Sequence, residues 1–105
     1  MKYTSQLNDI LSELDKFGGY FIDITTTGHI QAGVLRLHPN DIDTQEPHSV
    51  DEVYFVIQGK GMIDINGQSY AIKEGTSIFV PAGEEHRFHS NPEDLLVFYA
   101  LGSKQ

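Results

Sequence analysis

The chain has 105 residues, room for one domain (1–105) and no second core, and a chain of this size hides roughly two-thirds of its unfolded surface without staples. It contains no cysteine, which removes thiolate metal sites, cysteine nucleophiles and disulfides together and fits a reducing compartment, the cytoplasm. Fifteen acidic residues against seven basic ones give a net charge of −8, a surface that repels phosphate backbones, so nucleic acid is not an expected partner. No signal peptide is evident at the start, and no apolar run approaches the ~20 residues of a membrane span.

From Thr4 to Phe17 the apolar residues Leu7, Ile10, Leu11 and Leu14 recur at helical spacing, with Thr4 or Ser5 as N-cap and Gly18-Gly19 as the stop. This predicts one amphipathic helix laid against a larger body. Short strands cut by turn residues follow. Tyr20 to Ile24 and His29 to Leu37 are the first two, and the polar stretch Pro39 to Pro47, with three acidic residues, reads as a loop. Glu52 to Gln58 is rich in β-branched and aromatic residues and ends at Gly59. Gly61 to Ile65 and Ser69 to Lys73 flank Asn66-Gly67, the strongest short signal for a two-residue hairpin. Ile78 to Val80, His86 to His89 and the nearly unbroken apolar run Leu95 to Leu101 complete a set of about eight strands, the pattern of a sandwich or small barrel over residues 20–101.

Two cassettes carry the chemistry. One runs from Pro47 and His48 through Glu52 to Gly59; the other runs from Gly75 through Pro81, Gly83 and His86 to Phe88. Imidazole and carboxylate are ligands for divalent metals, and the cassettes can bring them together from neighbouring strands. The pair resembles the two motifs of the cupin superfamily. His48 takes the second His position of the first motif, Glu52 follows after three residues and Gly59 after six more; Gly75, Pro81, Gly83 and His86 meet every step of the second. Glu46 stands where the family has its first His, and Ser90 where it has a trailing Asn, with Asn91 next.

The resemblance implies an all-β, double-stranded β-helix (jelly-roll) barrel with one short N-terminal helix. It implies one divalent transition metal, Fe, Mn, Ni or Zn, held by His48, Glu52 and His86, with Glu46 as a fourth ligand or as a solvated loop residue. The expected function is a metal-dependent enzyme of dioxygenase, isomerase or decarboxylase type acting on a small organic molecule. The alternatives are a barrel that binds or senses a small molecule without turnover, and an assembly barrel with a vestigial site. A homodimer is expected on family grounds, since isolated sheets leave edges to cover.

The remaining residues follow from parity. Tyr54 and Val56 share a face with Glu52, and Phe88 shares one with His86, which makes them substrate-lining candidates or core filling. Arg36 is a candidate for the cavity rim, facing an anionic substrate, or else for the outer surface. His29, His38 and His89 fall outside the pattern; His89 has opposite parity to His86. Gly59, Gly75, Pro81 and Gly83 read as backbone devices that place the ligands.

Overall fold

The computed structural model describes residues 3–103. The chain opens with helix α1 (Leu7–Phe17), whose apolar stripe buries Ile10 and Leu14 and whose run stops at Gly18 with φ 80°. Its N-cap is Gln6, with no side-chain capping bond, so neither Thr4 nor Ser5 takes the role expected of it. Eight strands follow among the described residues: β1 (Phe21–Thr26), β2 (Ile30–Leu37), β3 (Glu52–Gln58), β4 (Lys60–Ile65), β5 (Gln68–Lys73), β6 (Ser77–Val80), β7 (His86–His89) and β8 (Leu95–Gly102). Among the described residues no helix is long and apolar enough to cross a membrane.

The strands form two antiparallel sheets, one ordered β1-β2-β8-β3-β6 and the other β5-β4-β7. This is the expected all-β jelly roll, with the helix packed beside β1. The long apolar run at the C-terminus is explained by its place: β8 is the central strand of the larger sheet, paired to β2 on one side and β3 on the other. Its inward residues Leu95, Val97, Tyr99 and Leu101 join Tyr54 and Val56 of β3 in the core. The smaller sheet meets them with Ile63, Ile72 and Phe88.

Turn chemistry fixes the registers. Asn66 (φ 50°) and Gly67 (φ 83°) both adopt positive φ, as a type I′ hairpin demands, and they close the β4–β5 ladder at Ile65 and Gln68. Gly59, Gly75 and Gly83 also have positive φ, as their expected turn roles require.

Candidate metal centre

Glu52 opens β3, and its inward parity places a carboxylate, 3% exposed, inside the barrel. His86 opens β7, also inward and 3% exposed. The two residues therefore face each other from opposite sheets, which corrects the expectation of neighbouring strands. His48 is in no strand; it sits on the loop before β3, half-buried. That loop is held in place by the second cassette. Gly83 N–H donates to the His48 carbonyl at 2.7 Å, and Ala82 N–H donates to Asp51 Oδ1 at 2.9 Å. Through that bond the Pro-x-Gly turn, with Gly83 at positive φ, joins the second motif to the first.

The donor atoms converge. One ligand atom from each of His48, Glu52 and His86 lies within 4.8 Å of the other two. Glu52 Oε1 is 3.4 Å from His48 Nε2 and 3.4 Å from His86 Nε2. Metal–ligand bonds of about 2.0–2.2 Å at tetrahedral or octahedral angles put adjacent donors roughly 3.0–3.6 Å apart, so both pairs fit around one ion.

The tautomer of His86 is set locally. Its Nδ1 is 3.1 Å from the Glu84 carbonyl, which can only accept, so Nδ1 carries the proton and Nε2 presents a lone pair. That Nε2 is buried and finds no hydrogen-bond partner among the described residues; Glu52 Oε1 is near enough for an ion pair but poorly aligned for a hydrogen bond. Burial works against a charged His86, yet the Glu52 carboxylate, the Glu84 carbonyl and Asp43 outweigh it and hold its pKa above the ordinary value. Two facing acceptors need a cation between them, a proton or a metal.

Supporting residues hold Glu52. The Tyr54 hydroxyl lies 2.9 Å from Glu52 Oε1 and 2.9 Å from Gln45 Oε1, with one proton to share between them. Burial, reinforced by Glu52, pushes the Tyr54 pKa far up, so the group stays a neutral donor. The Tyr54 ring packs edge-to-face on Phe88, centroids 4.9 Å apart. Asp43, which sequence reasoning passed over, is 2% exposed and accepts from Phe88 N, Gln45 N and Gln45 Nε2. It ties the loop to β7 two residues beyond His86.

Of the other candidates, Glu46 is exposed on the loop, outside any strand, so strand parity does not govern it; its carboxylate is not among the three converging groups. Tyr54, Val56 and Phe88 do point inward, but they fill the core beneath the site. Arg36 is turned the other way. It forms a 2.6 Å ion pair with Asp15 of α1, because alternation along β2 gives Leu35 the inward position and Arg36 the outer one. His89 pairs with Asp64 and His38 with Asp94, each at 2.7 Å, and His29 is exposed; none of them joins the group.

A cavity of about 280 Å³ opens beside His48 and Glu52. Its walls are Tyr20 and Phe21 at the start of β1, Leu35 of β2, Tyr99 and Leu101 of β8, and the loop from Thr44 to Glu46. None of these wall residues except Glu46 was singled out by sequence. For Tyr99 and Leu101 the unbroken apolar run of β8 hides which residues face inward, so their place on the wall follows from the register.

A small jelly-roll barrel with two imidazoles and a carboxylate converging beside a cavity defines a recognisable class. The chain belongs to the cupin family: the model of the cupin domain matches residues 33–101. It is 32% identical over 92 residues to an uncharacterised protein of Streptomyces coelicolor, covering 88% of each. It is also 27% identical over 71 residues to the dimethylsulfoniopropionate lyase DddW of Ruegeria pomeroyi, covering 68% of this chain and 47% of the lyase. Among solved structures, TT1209 of Thermus thermophilus superposes with a TM-score of 0.80 at 15% identity, over 99% of this chain and 100% of that one. This last likeness is one of fold.

Proposed function

We propose that the chain is a metal-dependent enzyme acting on a small organic molecule, with one divalent transition metal held by His48, Glu52 and His86. The observation that carries this reading is His86 Nε2, a buried lone pair with no hydrogen-bond partner among the described residues, close to a buried carboxylate. A purely structural histidine at this depth would have both ring nitrogens satisfied. Bound there, such a metal supplies Lewis-acid polarisation of a carbonyl or carboxylate and open positions for substrate or oxygen. The protein's own part is orientation. Glu84 fixes the His86 tautomer, Tyr54 and Gln45 fix the carboxylate, and the 82–83 turn fixes His48. Glu46 remains near enough on the cavity wall to meet substrate rather than metal.

The partial likeness to a lyase of a small organic substrate supports turnover over passive binding. The reading takes the cysteine-free chain to work in the cytoplasm, as a symmetric homodimer.

Elemental analysis of protein purified without chelators or a histidine tag tests the site. About one equivalent of Fe, Mn, Ni or Zn is expected, and His86→Ala should lose it while keeping the far-UV signature of a folded barrel. Normal metal content in that variant, or a wild type that takes up none on titration, would overturn the assignment.

A further inference from the structure

The cavity beside the metal ligands has an uneven chemistry. Tyr20, Phe21 and Tyr99 supply three ring systems on one side. The Tyr20 and Phe21 rings meet edge-on at 5.4 Å between centroids, and Phe21 and Tyr99 do so at 6.3 Å. Phe21 is 52% exposed, a large apolar surface left at a cavity mouth.

Tyr99 is placed there by a gap in β2. A Cβ at Gly33 would collide with the Tyr99 hydroxyl and the Ile22 carbonyl, so only glycine lets the Tyr99 side chain lie across the strand. Its hydroxyl then reaches Asp23 Oδ1 at 2.5 Å, on the far side of β2. Both oxygens of Asp23 also accept from Gln31 Nε2, at 3.1 and 3.0 Å. The opposite wall ends in Glu46, which makes no ion pair among the described residues.

Lysine and arginine are missing from the lining, whose one basic side chain is His48, read above as a metal ligand. Lys16, Arg36, Lys60, Lys73 and Arg87 are the lysines and arginines among the described residues, and none lines the cavity. Arg36 is spent on Asp15, and Arg87 donates to the Asp43 carbonyl. Away from His48 and Glu52, which are read above as metal ligands, an anionic group would find the Glu46 carboxylate and no lysine or arginine among the described residues. A positive group would find aromatic rings, whose quadrupoles attract cations, with the Asp23 carboxylate behind Tyr99 and Glu46 on the wall.

We propose that this cavity selects a small organic cation, a protonated amine or a quaternary onium compound, seated against Tyr20, Phe21 and Tyr99 and faced by Glu46. The proposal gives a substrate class to the site read above as an enzyme's, and it rests on that reading only for what happens after binding.

Choline and its uncharged isostere 3,3-dimethylbutan-1-ol differ in the charge of one atom and little else, which makes them the deciding pair. Calorimetric titration of the full chain, with metal content measured on the same sample, should show choline bound at least about tenfold more tightly. In Glu46→Gln the choline affinity should fall about three- to tenfold while that of the neutral alcohol is unchanged. In Phe21→Leu the preference for choline should shrink, with an unchanged circular dichroism spectrum showing that the barrel is intact. Equal or tighter binding of the alcohol, no binding of choline, or a Glu46→Gln variant with full choline affinity would overturn the proposal. The two readings fail separately. Metal-bearing protein without a choline preference removes this one alone, and metal-free protein that still prefers choline removes the metal alone.

Discussion

At the scale of single residues, the site depends on which atoms are left without partners. His86 gives one nitrogen to the Glu84 carbonyl and keeps the other for a cation. Its pKa stands above the ordinary value of about 6.5 despite burial. The sign follows: in metal-free protein, protonated His86 stabilises the fold below the unfolded pKa, and that contribution is lost as pH rises through the folded one. A metal at Nε2 displaces the same proton, so its affinity should weaken as pH falls through that window. Metal titrations between pH 5 and pH 8 should give the tighter binding at the alkaline end, and a flat profile would refute the role given to Nε2. Tyr54 offers a finer test. Tyr54→Phe keeps the ring on Phe88 and removes only the donor to Glu52. Loss of such a partner behind a ligand should lower metal affinity by about 10- to 100-fold. An unaltered affinity would mean that Glu52 is oriented by something else.

At the scale of elements, the site is assembled by one loop and one turn. The loop before β3 is held by Gly83 N–H at the His48 carbonyl, by Asp51 at Ala82 N–H, and by Asp43 at Phe88 N–H. Asp43→Ala leaves buried donors on both the loop and β7 unsatisfied. It should lower unfolding stability by about 1–3 kcal/mol in denaturant titration and weaken metal binding through His48. Stability within a few tenths of wild type would show that the loop is held elsewhere. These ties also mark where sequence reading stops. The strands were legible because turn residues punctuate them and because Asn66-Gly67 specifies its own hairpin. His48, Glu52 and His86 were legible as a motif. Asp43 was not, since its partner Phe88 is 45 positions away and nothing local distinguishes it from a solvated loop acid. The side of Arg36 was equally hidden: four consecutive buried residues, Ala32 to Leu35, erase the alternation that assigns faces, because α1 and the core cover β2 from both sides. The helix cap was misplaced because no side chain makes the capping bond, so composition carried no signal.

At the scale of the molecule, the larger sheet has an uneven outer surface. Near β1 and β2 it is covered by α1, with Ile10 and Leu14 buried and Arg36 bound to Asp15. Across β8, β3 and β6 it lies open. Phe98 stands opposite Phe55, and Val53 opposite Phe79, in the strand registers. All four point away from the core, and Phe79 is 58% exposed. A contiguous apolar patch on three adjacent strands is unusual for a monomer with a net charge of −8, and a copy of the same patch can cover it around a two-fold axis. The expected state is therefore a symmetric dimer joined through this face. Light scattering at micromolar concentration should give twice the chain mass. Phe55→Glu with Phe79→Glu places four like charges in the joint, two from each copy, and should give a monomer whose metal content is unchanged, because neither residue faces the interior. A wild-type monomer would remove the dimer outright. A dimer that survives both substitutions would move the interface to another face and leave this patch free in solution.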